Sequence, residues 1–302
     1  LLHQTHQIFS VSQGLDLSQE KEHFESADVV VGVDLNQRMP RPHKMRLLQA
    51  PAAGTDSIDR TCMPPQALLA NCFCHENAIS EYVMAALLAR HVPLYDADQA
   101  LRQGEWRYFA GRPGALRSEL GSQTLGLLGF GHIAKTLAHR AKAFGMQVVV
   151  VNRSPVQSAD VDQSFRLADL HAFMAACDCV VVTLPLTENT RSLVDQNALS
   201  CMRSEALLVN VGRGAVVDES ALFDALKQQR IGGAIIDTWY QYPNSEKPAC
   251  SPSQFDFASL QNVLMTPHMS GWTEGTVNRR KQSIADNINR LSAGQPLRNV
   301  LA

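Results

Sequence analysis

The run Gly129-Phe130-Gly131-His132-Ile133-Ala134 lies between segments of different period, and that placement restricts the fold more than any other feature of the chain. Residues 125–128 before it form an apolar, strand-like run. Residues 133–144 after it have helical spacing, and residues 147–151 read as the next strand. A glycine opening such a turn permits a sharp change of direction. A second lets the backbone approach a diphosphate, and a small residue at Ala134 lets helix and strand touch. The diphosphate would rest over the helix N-terminus, where unpaired N–H groups favour an anion. Glycines alone say little, but a strand before and a helix after favour a dinucleotide cradle over a plain structural turn. Gly129, Phe130, Gly131, His132 and Ile133 are therefore the expected cofactor contacts.

The end of the second strand bears on which dinucleotide fits. An NAD-preferring unit carries an acid there, bonded to the ribose hydroxyls. This chain has Asn152, then Arg153 and Ser154. An acid would repel a 2′-phosphate, whereas arginine attracts one and serine can donate a bond to it. NADP is the preferred cofactor on this reading. NAD stays open, because Arg153 could instead stack on adenine.

A chain of 302 residues with 45% hydrophobic composition has room for two domains and a substantial core. A formal charge of −2 argues against nucleic-acid binding by long-range attraction, and no apolar stretch is long enough to span a membrane. The seven cysteines are scattered and odd in number, which favours free thiols in a reducing, cytoplasmic setting. Cys72-Phe73-Cys74-His75 has no second pair to complete a metal site, so no metal is expected. The chain opens Leu1-Leu2-His3, without methionine, and a missing first strand and helix would fit that start.

Residues 7–11, 28–33, 45–49 and 67–71 read as strands, with helices at 17–27 and 79–90. The stretch 99–121 reads as a linker or arm in which Trp106 and Tyr108 pack, at an oligomer interface if one forms. Beyond it, strands at 124–128, 147–151, 179–183, 206–209, 233–237 and 263–265 alternate with helices or short loops. Residues 273–292 close the chain as a helix. The expected fold is α/β: two Rossmann-like domains with doubly wound parallel sheets and a cleft between. Residues 1–90 with 274–302 would form a substrate-binding domain, and residues 91–273 the dinucleotide-binding domain.

Ligands of such sheets bind beyond the carboxyl ends of the strands. Arg213 stands there, in a turn tightened by Gly212 and Gly214, and a guanidinium so placed can grip a carboxylate and the oxygen beside it. It could also pair with Asp218 or a helix end. His268 follows Met265-Thr266-Pro267, and an imidazole can give or take the oxygen's proton while hydride moves at carbon. By itself it could equally be a hydrogen-bonded loop residue. Asp237 closes its strand and could bond a nicotinamide carboxamide or orient a neighbour.

Three ordered segments, Val209–Asp218, Gly233–Asp237 and Thr266–Gly271, resemble signatures of the D-isomer-specific 2-hydroxyacid dehydrogenases, among them glyoxylate/hydroxypyruvate reductases. Leu184-Pro185-Leu186-Thr187, with Thr190, is similar to that family's loop beside the adenosine. The resemblance covers most of the chain from Ala50 on. It implies that Arg213 binds a small 2-oxo acid, that His268 is the acid/base, and that the backbone of Ala53 and Gly54 holds the carboxylate from the smaller domain. Val211, Gly212 and Gly271 join the implied cofactor contacts, and a homodimer is the family's expected state.

One family element departs. By the match, the glutamate that supports the histidine is replaced by Tyr242, in Thr238-Trp239-Tyr240-Gln241-Tyr242-Pro243. A phenol would leave the imidazole harder to protonate than a carboxylate would. Formate dehydrogenases of the superfamily carry a neutral glutamine there. This keeps open a formate-like activity, or a catalytically weak nicotinamide-binding sensor or corepressor. Glu246 is near enough in sequence to substitute for the acid. His75 precedes Ile79-Ser80-Glu81-Tyr82, where many members have a valine-alanine-glutamate-histidine run. It is open to two readings, a substrate contact from the smaller domain or a polar helix cap.

Overall fold

The structure is a computed structural model and describes residues 1–12, 14–244 and 247–301. It divides into two compact units: Leu1–Cys74 with Thr273–Ala302, and His75–Trp272.

In the smaller unit, α1 (Ser18–Ser26) precedes β1 (Val29–Val31), β2 (Leu47–Gln49) and β3 (Leu68–Ala70), which pair in parallel in that order. Its core gathers Phe24, Leu35, Met45, Leu48 and Leu69. Residues 7–11, expected as a strand, form none. Ile8 and Phe9 are exposed, and the Phe9 ring instead stacks on His23 with centroids 3.7 Å apart. The apolar pattern is real, but without a partner strand its backbone has no ladder to join.

The larger unit begins with α2 (Glu76–His91) and α3 (Leu94–Arg102). It continues β4 (Thr124–Leu128), α4 (His132–Ala143), β5 (Gln147–Asn152), β6 (Gln163–Arg166), α5 (Leu170–Ala176) and β7 (Cys179–Val182). After these come α6 (Gln196–Ser200), β8 (Leu207–Asn210), α7 (Glu219–Lys227), β9 (Gly233–Ile236) and β10 (Val263–Met265). Its seven strands are all parallel, in the order β10-β9-β8-β7-β4-β5-β6. The chain reverses its direction of winding between β4 and β7, which is where such sheets bind their ligand. Continuous burial of Val148–Val151, Val180–Val182 and Leu207–Val209 marks strands covered on both faces. Each such side chain contributes roughly 1.5–3 kcal/mol of burial.

Three expectations need correction. The units part at 74/75 and 272/273 rather than at 90/91 and 273/274. The reason is packing: Ile79, Val83, Met84 and Leu87 of α2 share one core cluster with Leu125, Leu127, Leu137 and Ala138 of β4 and α4. The strand β6 was missed, because its sequence Gln-Ser-Phe-Arg is polar and it is an edge strand with only β5 as neighbour. The segment read as a linker from residue 99 begins inside α3. The last helix, α8 (Glu274–Ser292), returns to the smaller unit. There its Asn287 donates to the buried Gln49 Oε1 at 2.7 Å.

Candidate active site

Gly129 ends β4 with φ +94°, a conformation that costs an L side chain dearly, and its amide donates to the Val151 carbonyl at 2.9 Å. A Cβ there would also lie 2.7 Å from Leu184 Cδ2 and push that side chain aside. Gly131 is the N-cap of α4 and supplies no side-chain cap, and a Cβ added to it would meet nothing within 4 Å. Ala134 is fully buried, as its place under the turn requires, while Phe130 and Ile133 pack partly against the core and His132 is exposed. A glycine turn with open space over uncapped helix amides fits the diphosphate of a dinucleotide.

Around this turn, Asn152 donates through Nδ2 to the Ser154 carbonyl at 3.2 Å, and Arg153 and Ser154 are exposed. Thr190 holds the 185–190 loop, donating to the Pro185 carbonyl at 2.7 Å and accepting from the Thr187 amide at 2.8 Å. Pro185 is exposed and Leu184 half-buried. A Cβ on Gly212 would lie 2.7 Å from the Leu184 carbonyl, so the β7 and β8 loops touch through a glycine. Val211 is buried, and its amide is taken by the Val182 carbonyl at 3.3 Å.

Arg213 leaves β8 on a turn shaped by the buried Asn210, whose Oδ1 accepts from the Gly212 amide at 3.2 Å while Nδ2 donates to the Arg213 carbonyl at 3.1 Å. The guanidinium donates to the Gly212 carbonyl at 2.9 Å. Asp218, the alternative partner considered for it, is the N-cap of α7 and accepts from the Ala221 amide at 2.9 Å.

His268 follows β10 in the left-handed region, with φ +57°. The loop is held by Asp237, which is fully buried and follows β9. Its Oδ1 accepts from the Thr266 hydroxyl at 2.6 Å and the Met269 amide at 2.9 Å, and its Oδ2 from the Ser270 amide at 3.0 Å. These bonds orient the histidine loop.

Tyr242 lies beside His268, with ring centroids 5.5 Å apart and planes at 51°. Its hydroxyl is turned to Trp239, accepting from that amide at 2.9 Å. Partial burial of the imidazole pulls the His268 pKa below the usual histidine value; Asp237 opposes this and the Arg213 charge adds to it. Burial likewise raises the Tyr242 hydroxyl, against the lowering effects of the Trp239 hydrogen bond and the Arg213 charge. Arg213, His268, Tyr242 and Asp237 thus share one electrostatic neighbourhood. Among the described residues no carboxylate bonds the His268 ring, and Glu246 lies outside the described residues.

His75 is buried at the N-cap of α2 and counts with the larger unit, not the smaller one, because it packs beside the histidine loop. A Cβ on Gly271 would lie 3.4 Å from His75 Cβ. Ala53 and Gly54 belong to the smaller unit, in a loop held by Asn71 Nδ2 on the Ala53 carbonyl at 2.8 Å and by the Cys72 amide on the Ala52 carbonyl at 3.1 Å. Thr266 and Tyr82 were given no role from sequence. The usable signal was a hydroxyl residue directly between a strand and Pro267-His268. Among the described residues no group of three or more His, Cys, Asp or Glu gathers as for a metal. No helix among them is long and apolar enough to cross a membrane.

A doubly wound sheet with a glycine turn after β4 that leaves its helix amides uncapped is the architecture of a dinucleotide-binding domain. Residues 83–270 match the D-isomer specific 2-hydroxyacid dehydrogenase NAD-binding domain, and the chain belongs to that family. It is 30% identical to glyoxylate reductase of Aeropyrum pernix over 273 residues, 88% of this chain and 78% of that one. With D-3-phosphoglycerate dehydrogenase of Methanocaldococcus jannaschii it shares 28% identity over 96% of its own length but spans only 55% of that protein. The NADPH-dependent glyoxylate/hydroxypyruvate reductase of Sinorhizobium meliloti, solved with NADP and malonate, superposes with TM-score 0.72 at 26% identity. That superposition covers 91% of this chain and 83% of the reductase.

Proposed function

We propose that the chain transfers hydride between NADP(H), or NAD(H), and a small 2-oxo or 2-hydroxy acid of D configuration. The observation that carries this is the convergence of Arg213 and His268: the arginine's charge is felt by the imidazole, and both follow strands on the carboxyl edge of one sheet. Arg213 binds the carboxylate and the neighbouring oxygen, orienting the carbonyl and withdrawing electrons from its carbon. His268 gives its proton to the developing alkoxide in reduction and takes it back in oxidation. The cofactor, when bound, supplies or accepts the hydride. Gly129–Ile133 would hold its diphosphate, and residues 184–190, 211–212 and Gly271 would complete its binding site. The family resemblance further assigns Ala53 and Gly54 as backbone donors to the substrate carboxylate and His75 as a substrate contact.

NADP is the preferred form, because Asn152 leaves no carboxylate against a 2′-phosphate and the exposed Arg153 and Ser154 can bind one. Tyr242 occupies the position of the family glutamate, and its contact with His268 supports that assignment. We further propose a cytoplasmic homodimer that engages neither nucleic acid nor membrane.

The same contact favours a second reading, a nicotinamide-binding sensor with little turnover, because no described carboxylate props the imidazole. Turnover of glyoxylate, hydroxypyruvate and pyruvate with NADPH and with NADH separates the two. Oxidation of reduced cofactor supports the dehydrogenase, and tight cofactor binding without turnover supports the sensor.

A further inference from the structure

We propose that Tyr82 is a positioning residue for His268, acting through Thr266 and Asp237. The proposal rests on the reading of His268 as the acid/base. Tyr82 projects from α2, and its hydroxyl oxygen lies 2.7 Å from Thr266 Oγ1. Thr266 has one hydroxyl proton, and it goes to Asp237 Oδ1 at 2.6 Å. Thr266 can therefore only accept from Tyr82, so the bonds run one way, from phenol to hydroxyl to carboxylate. A chain of donors aligned in this manner polarises each member. The Thr266 carbonyl is fixed separately, accepting from the Trp239 indole at 2.8 Å.

The carboxylate at the end of this chain also receives the Met269 and Ser270 amides. Those two residues directly follow His268, whose φ of +57° is unfavourable for a side chain of its size. Asp237 thus pins the backbone that holds the imidazole in a strained conformation, and Tyr82 and Thr266 set how much of its charge is already spent. Among the described residues, the charged and titratable groups acting on the imidazole are Asp237, Arg213 and Tyr242. Among these only Asp237 favours the protonated ring, so quenching its charge from behind lowers the ring's basicity.

Tyr82→Phe removes one hydroxyl and leaves the ring to pack. The imidazole proton resonances of His268, assigned with His268→Gln and titrated by NMR in the full chain without substrate, read the coupling directly. We expect the His268 pKa to rise by about 0.3–0.5 in Tyr82→Phe, since an unquenched Asp237 favours the charged ring. Thr266→Val, which removes the bond to Asp237 itself, should give a larger rise, Thr266→Ser should titrate as the native chain, and Tyr82→Phe/Thr266→Val should shift no further than Thr266→Val. Because a more basic ring keeps its proton to higher pH, the basic limb of kcat/KM in the reducing direction should move upward by about the same amount, with KM for the cofactor unchanged. An unchanged or lowered His268 pKa in Tyr82→Phe would overturn the proposal. Should Tyr82→Phe not fold, the Thr266→Val and Thr266→Ser pair decides the matter by the same titration. Failure of the dehydrogenase reading would show separately, as absence of turnover with the titration shift intact.

Discussion

The turn at Gly129–Gly131 and the loop at Thr266–Gly271 lie on the same carboxyl edge of one parallel sheet, and they are built in opposite ways. The glycine turn keeps its helix amides free of any side-chain cap and leaves open space over Gly131. The histidine loop ties its polar groups inward, with a buried carboxylate accepting from Thr266, Met269 and Ser270. On the proposed reading, the surface that receives a diphosphate keeps its amides free of side-chain partners. On the proposed reading, the side chain that meets the reacting oxygen is held in place by the fold itself. Binding and chemistry therefore place different demands on neighbouring strand ends, and the sequence meets them with glycines in one case and a buried aspartate in the other.

Changes confined to one side should break one function and spare the other. On the chemical side, Arg213→Lys should lower kcat/KM for a 2-oxo acid on the order of a hundredfold, because an ammonium cannot reproduce the paired donors. Cofactor affinity, measured by fluorescence titration, should stay within a factor of two or so of the native value. On the binding side, Gly129→Val adds a β-branched residue at φ +94° against Leu184 and should weaken cofactor binding by about 10- to 100-fold. Calorimetry of cofactor binding checks it. Asn152→Asp should move the ratio of NADPH to NADH efficiency about tenfold toward NADH by placing a carboxylate near the 2′-phosphate. Steady-state kinetics with both cofactors would show it.

The smallest effect is expected where the two sides meet. If His268 is the proton donor proposed for the reducing direction, activity should be lost as pH rises through a pKa that lies below the usual value of 6.5. Tyr242→Glu supplies a charge that favours the imidazolium, and the basic limb of kcat/KM should move upward by about one pH unit. An unmoved limb would place Tyr242 outside the histidine's reach in solution.

Legibility in the sequence followed the same division. Strands β4 and β10 fall at their expected bounds, because a short apolar run bounded by glycine, proline or asparagine has few other ways to be buried. The helix α8 likewise begins within one residue of expectation, at a threonine cap whose hydroxyl accepts from the Thr276 amide. The edge strand β6 was invisible, since Phe165 is its one apolar residue and pairing with β5 makes it a strand. Arg213 and His268 were readable as polar residues three positions beyond the ends of apolar strands. Asp237 was readable as a strand-end acid, but its role was not, because that depends on three donors arriving from a segment about thirty residues later. The placement of α2 also escaped, since its apolar stripe says that it packs but not on which unit.

The most direct test of hydride transfer through Arg213 and His268 is the rate of NADPH oxidation with glyoxylate by the native chain and by His268→Ala, followed across pH. The account predicts turnover in the native chain that falls with rising pH, and a loss of about 100- to 10,000-fold with that limb gone in His268→Ala. Equal rates in the two proteins, with the pH dependence unchanged, would contradict it.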